Sequence, residues 1–265
     1  MRIVLGCVCS VLALIVATPA FAQDTDPPPP VTINGTVAVT SDYRFRGISQ
    51  SDKNAAIQGS ITVTHESGFY ASVWGSSVSG YVTAATGPAG CCTASIELDL
   101  IAGFKKTFGS GTTVDVGVLY YVYPKSKAVG DLTSSDFVEP YLAISQTFGP
   151  VTAKGLIAYA PKQRALALNQ IGPKLDNVYL SGDLSFAIPQ TPIGLTAHLG
   201  HSIGPSWLAT TGRGNNYTDW SLGATATYKM LTLGVSYVDT NTNFPTPSGK
   251  DAAKGGVVVS LTAAF

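Results

Sequence analysis

The chain has 265 residues, with 16 basic and 16 acidic side chains and a formal net charge of zero. That balance offers no basic surface for nucleic acid. Charged residues are only 12% of the chain, about half the share of an ordinary soluble domain, and beyond the N-terminus no apolar run reaches the roughly 18 residues of a spanning helix.

The N-terminus reads as a secretory signal. Arg2 precedes an apolar run from Ile3 to Ala17, and Ala20-Phe21-Ala22 supplies the small-residue cleavage pattern. We assign residues 1–22 to a signal peptide cut before Gln23. Cys7 and Cys9 leave with it, and export implies an oxidising compartment. Residues 23–32 form a flexible, Pro-rich lead, and 33–265 form one domain.

From there the chain reads as strand after strand, with no convincing long helix. Period-two alternation marks twelve segments: 35–46, 56–66, 69–78, 94–107, 112–123, 135–148, 151–160, 175–187, 193–202, 217–229, 231–239 and 255–265. In the last of them Val257, Val259, Leu261, Ala263 and Phe265 share one face, while Val258, Ser260, Thr262 and Ala264 share the other. In the first, Tyr43 and Phe45 alternate with Asp42, Arg44 and Arg46. The segment 69–78 is less regular, with Val73 and Trp74 on opposite faces.

Connections alternate strictly between short and long. The short ones are 65–68, 108–112, 148–150, 188–194 and 229–231. The long ones lie near 47–55, 79–93, 124–134, 161–174, 203–216 and 240–254. Short turns at one end, long loops at the other and an even strand count are the pattern of a transmembrane antiparallel up-and-down β-barrel of about 12 strands. Export, few charges and no spanning helix put such a barrel in the outer membrane of a Gram-negative bacterium.

Aromatics fall where interfacial girdles belong. Phe69, Phe104, Phe148, Phe186, Tyr228 and Phe265 lie at the short-turn ends. Tyr43, Phe45, Tyr120, Tyr159, Trp220 and Tyr237 lie at the long-loop ends. On this reading Tyr43 and Phe45 face lipid. Phe265 also has the character of the terminal aromatic that outer-membrane assembly machinery reads as a signal.

Strand parity directs a set of polar side chains inward: Asp42, Arg44, Arg46, Glu97, Asp99, Lys105, Asp115, Glu139, Lys154, Asp183, His198 and Asp219. Two readings stand side by side. Cross-strand pairing fills a narrow interior, or the charges bias ion passage. Acidic residues outnumber basic ones, which predicts a mild cation preference. If Arg44 and Arg46 line an open path, their removal strengthens that preference.

Connection 79–93 is either an exposed loop or an inward constriction. It carries Cys91 and Cys92, a candidate local disulfide, though adjacent cysteines fit disulfide geometry poorly. An intermolecular pair and a metal site are alternatives, the latter without further ligands at suitable spacing. Segment 161–174 suggests a short helix on the rim, either solvated or touching lipid headgroups.

The stretches TSDYRFRGISQSD (40–52) and AAIQGS (55–60) resemble the opening of the TorF family of Gram-negative outer-membrane porins. GFYASVWGSSVS (68–79), IELDLIAGF (96–104), VDVGVLYYVYP (114–124), DFVEPYLAIS (136–145), YTDWSLGAT (217–225) and LTLGVSYVDT (231–240) continue the resemblance across the mature chain. It implies a porin-like barrel in the outer membrane.

No G-x-S-x-G, H-E-x-x-H, phosphate-binding glycine loop or paired C-x-x-C occurs. Of the histidines, parity makes His198 luminal and sets His201 at the rim, while His65 lies in a short turn. The expectation is a non-enzymatic channel for passive diffusion of small hydrophilic solutes or ions, without cofactor or metal. Its partners are outer-membrane lipid, the assembly machinery and the solutes themselves, with an oligomer left open. A non-conducting adhesin or structural barrel is the first alternative, and an outer-membrane hydrolase the second.

Overall fold

The structure, a computed structural model, describes residues 30–79, 94–124, 135–167, 173–206, 208 and 216–265. The signal peptide and its cleavage site, most of the Pro-rich lead, and Cys91 and Cys92 lie outside the described residues. So does connection 79–93 beyond Ser79.

The strands are β1 (Val31–Thr40), β2 (Arg44–Phe45), β3 (Ile48–Ser49), β4 (Ala56–His65), β5 (Phe69–Ser77), β6 (Ile96–Thr107), β7 (Thr112–Val122), β8 (Phe137–Phe148), β9 (Val151–Gln163), β10 (Leu175–Ala187), β11 (Ile193–Ile203), β12 (Asn216–Tyr228), β13 (Leu231–Thr240) and β14 (Gly256–Ala264). All except β2 and β3 form the wall of one closed antiparallel barrel, in which each strand pairs with its neighbours in sequence and β14 returns to β1. No described helix is long and apolar enough to cross a membrane.

The wall follows from the alternation. Ile57, Ile61, Leu100, Ile144, Leu184, Leu222, Leu233 and Leu261 are all exposed on the outer face, an apolar surface that water would penalise and lipid tails accept. Phe69, Phe148, Phe186, Tyr228 and Phe265 are exposed at the short-turn end, and Tyr120, Tyr159, Trp220 and Tyr237 at the other. Phe104 is half-buried, with its ring edge-on to Phe69 at 5.1 Å. In β5, Trp74 points inward and Val73 outward, so that strand is regular after all.

Closure has its own device. The backbone of Phe265 exchanges two hydrogen bonds with Gly35, at 2.7 and 3.0 Å. Its ring lies over Gly35, where a Cβ would come within 2.5 Å of the ring. Glycine leaves the strand bare and the aromatic covers it.

The first long connection departs from the sequence reading. β1 ends at Thr40, not at residue 46. Residues 41–55 turn back into the barrel, carrying the two-residue strands β2 and β3 as a miniature hairpin. Its turn is Arg46-Gly47, both at positive φ (49° and 79°). A Cβ on Gly47 would fall 2.4 Å from Thr240 Cγ2, so the turn needs glycine for space as well as for φ. Tyr43 is therefore buried inside the barrel instead of facing lipid, and Phe45 sets its ring edge-on to Tyr121 at 5.8 Å. Alternation predicts sides only while the chain stays in the wall.

Connection 161–174 is also corrected. β9 runs on to Gln163, and a single 3-10 turn, Arg164–Leu166, follows. Ala165 and Leu166 are buried, in a luminal cluster with Tyr121, Tyr123, Phe137 and Leu208. These apolar residues face the barrel interior, not lipid.

Candidate functional site

Loop 41–55 organises the interior. Asp42 is its internal anchor. Its Oδ2 accepts from Arg44 Nε at 2.6 Å, and its Oδ1 accepts from the Ser49 and Ser51 hydroxyls at 2.5 and 3.2 Å. Arg44 Nη1 also donates to the carbonyls of Gly47, Ala252 and Lys254. It thereby ties this loop to connection 241–255, where Ile48 packs with Tyr217, Ala252, Ala253 and Phe244. At the outer edge Lys250 Nζ donates to the Asp52 carbonyl at 2.7 Å.

Arg46 reaches across the barrel. Nη2 donates to Glu139 Oε1 on β8 at 2.6 Å, and Nη1 to Asn177 Oδ1 on β10 at 3.0 Å. The guanidinium lies 4.1 Å from the Tyr179 ring centre and 4.8 Å from that of Phe45. The Tyr217 hydroxyl donates to the Arg46 carbonyl at 2.9 Å, and Tyr121 donates to Glu139 Oε2 at 3.1 Å. One loop side chain is thus held by β8, β10 and, through its backbone, β12.

A second network runs below. His198 on β11 has Nδ1 at 2.6 Å from Asp183 Oδ1 and Nε2 at 3.0 Å from Asp219 Oδ1. The Tyr179 hydroxyl donates to both oxygens of Asp219, each at 3.1 Å. Lys105 Nζ lies 3.3 Å from Asp115 Oδ2, and the Tyr70 hydroxyl donates to Asp115 Oδ1 while touching that of Tyr141. Lys154 stands opposite Asp183 in the β9–β10 register and is half-buried.

Glu97 and Asp99 are set apart, both on β6 and both 1% exposed. Glu97 Oε1 accepts from the Tyr43 hydroxyl at 3.1 Å. Glu97 Oε2 and Asp99 Oδ1 have no hydrogen-bond partner.

The charges expected inside all lie away from the lipid face; Lys105 with Asp115, and His198 with Asp183 and Asp219, pair across wall strands, Arg46 pairs from the loop to Glu139, and Asp42 pairs with Arg44 within the loop. Arg44 differs in role, since its guanidinium joins two loops. What sequence reasoning missed is the tyrosines. Tyr43, Tyr121, Tyr179 and Tyr217 are all buried and each donates to a carboxylate or carbonyl of the network. For Tyr121, Tyr179 and Tyr217 the signal was available in their inward parity, whereas for Tyr43 parity pointed to lipid and the residue was read as girdle.

Burial is uneven along the barrel axis. Towards the short turns, inward Asn34, Thr36, Thr62, Lys105, Thr152, Lys154, Ser181, Asp183, Thr196 and Thr225 are half-buried, while Ser72, Asp115, Thr232 and Thr262 are buried. Towards the long loops, inward Thr40, Gln58, Ser76, Glu97, Glu139, Asn177, Ser202 and Tyr217 are buried. Loop 41–55 lies at that end.

Residues 24–265 match the model of a family described as "Bacterial protein of unknown function (Gcw_chp)". No curated protein matches the sequence. Among solved structures, a NanC porin in a rhombohedral crystal form is similar at a TM-score of 0.56 and 11% identity, covering 88% of this chain and 99% of that one. A membrane protein from work on in-meso crystallization is similar at 0.50 and 10%, covering 88% and 83%. A KdgM porin in complex with disordered oligogalacturonate is similar at 0.49 and 9%, covering 88% and 98%. At these identities the likeness is one of fold.

Proposed function

From the membership of this chain in the Gcw_chp family of bacterial proteins of unknown function, we propose that it is a porin-like channel in the Gram-negative outer membrane. It passes small hydrophilic solutes or ions with a mild cation preference and has no enzymatic role. Its resemblance to the TorF porins agrees with this reading. The short turns face the periplasm, and lipid and the assembly machinery are its partners.

The carrying observation is loop 41–55, folded into a polar barrel and pinned there by Arg46 on Glu139 and Asn177. An inserted loop narrows a barrel of this size to a constriction lined by fixed charges, which is how such proteins select. The half-buried polar surface on the short-turn side supports a wet vestibule leading to it. The excess of inward carboxylates over inward cations supports the preference for cations.

The test is single-channel conductance of the folded protein in a planar bilayer under a salt gradient, beside Arg46→Ala. We expect discrete steps with a reversal potential on the cation side, and larger steps in the variant because the loop loses its anchor. A folded barrel that gives no steps in either form overturns the channel reading. One observation favours the non-conducting alternative, in which the protein is an adhesin or structural barrel: the loop-side interior is filled by buried side chains. Against a hydrolase centred on His198, both ring nitrogens there are held by carboxylates.

A further inference from the structure

Glu97 and Asp99 stand two residues apart on β6, so both side chains leave the same inward face. Other inward carboxylates have a cationic or imidazole neighbour. Asp42 has Arg44, Glu139 has Arg46, Asp115 has Lys105, and Asp183 and Asp219 share His198. Among the described residues Glu97 and Asp99 have no such neighbour. Both are 1% exposed, and each has an oxygen without a hydrogen-bond partner. Buried carboxylates are normally paired or bound to a metal, and buried polar atoms are nearly always satisfied.

The surroundings are rich in oxygen and closed. Register sets Glu97 against Ser76 on β5, and Ser76 against Gln58 on β4. All three are buried, and Gln58 Nε2 donates to Ser76 Oγ at 3.3 Å, leaving the amide oxygen of Gln58 to accept. The adjacent row is Trp74, Asp99 and Tyr121. Tyr43 closes over this corner from loop 41–55, its ring 5.4 Å from that of Trp74.

We propose that Glu97 and Asp99 bind one hard divalent cation, of the calcium or magnesium class, inside the barrel beneath Tyr43. Once both are ionised, two such carboxylates are balanced by two positive charges, which a single divalent ion supplies. The donors are all oxygen, the set that hard alkaline-earth ions take and that softer metals leave. The carboxylates anchor the ion, while the hydroxyl and amide oxygens around them, with water, complete its shell. Because Tyr43 bonds to Glu97, the bound ion also fixes one flank of the loop.

The test uses the full-length folded protein in detergent, stripped with EDTA, then titrated calorimetrically with calcium chloride, magnesium chloride and, as a control, potassium chloride. We expect about one equivalent of calcium or magnesium to bind, with a raised unfolding midpoint and no response to potassium. Asp99→Asn should weaken binding at least tenfold, and Glu97→Gln with Asp99→Asn should abolish it. Asp52→Asn, at the outer edge, should leave it unchanged. No divalent binding by the stripped wild type at millimolar concentration overturns the proposal. So does binding retained in the double variant. If the double variant does not fold, the wild-type titration and Asp99→Asn decide. Absence of conductance would overturn the channel reading while leaving this titration untouched.

Discussion

Arg46 is 2% exposed and its guanidinium meets Glu139, Asn177 and the Tyr179 ring at once. Removing one partner of a buried ion pair strands the other, at about 3–5 kcal/mol. Arg46→Ala should therefore lower the unfolding free energy of the barrel by that order, read from the shift of its urea midpoint. Adding Glu139→Gln should recover much of the loss, because Tyr121 can still hydrogen-bond the amide. Arg46→Lys should not rescue it, since a point charge can neither bridge two acceptors nor stack on Tyr179. Equal destabilisation by the single and double variants would show that the carboxylate is not the source of the cost. The inward placement of Arg46 was legible in the sequence, but the strand parity behind it was not valid there. The same parity sent Tyr43 and Phe45 to lipid. Nothing local distinguishes a wall strand that alternates aromatic and charged residues from a hairpin that buries both, because the partners of Arg46 lie on strands far along the chain.

The wall strands after β1 were legible to within about three residues, whereas β1 was read as 35–46 and runs Val31–Thr40. Each separates an apolar medium from a polar interior, so the period of two is enforced at every step. β8 carries Pro140, which has no N–H to give. The β8–β9 ladder begins only at Tyr141, and the side chain of Gln163 completes it: its oxygen accepts from Val138 N at 2.7 Å and its nitrogen donates to Val138 O at 2.8 Å. That substitution of a side chain for a strand explains why β9 runs past its expected end at residue 160. Closure depends on the β1–β14 seam, where Phe265 covers Gly35. Phe265→Ala should keep the two backbone hydrogen bonds and lose the cover. Its unfolding free energy should fall by about 1 kcal/mol, in line with a partly exposed aromatic contact, and Gly35→Ala should be tolerated better in that background than alone. Additive effects of the two substitutions would sink this account of the seam.

Across the whole molecule the two halves of the interior differ. The short-turn half leaves many of its polar side chains half-buried, whereas the loop half is filled by segment 41–55, the 3-10 turn and the tyrosines. If ions traverse the barrel, charges in the exposed half act on them from the vestibule, and the effect is screened by salt. Asp183→Asn removes such a charge, with its side chain 30% exposed. The reversal potential should shift towards neutrality, more at low salt than at high. An unchanged potential at every ionic strength would place the selectivity elsewhere, in the buried pairs. The sequence carried the sign of the interior but not this division, which depends on where loops fold rather than on where strands run.

The anchors of segment 41–55 also have an order in time. Its first wall partner, β1, is among the earliest parts of the chain to be made. The residues that hold it come much later: Glu139, Asn177, Tyr217 and the carbonyl of Ala252. Until those strands are in place Arg46 has no partner, and contacts between such distant positions form slowly. Seating the segment is therefore one of the last events in the life of a newly made molecule. The barrel must close around a loop that has been waiting since the chain began.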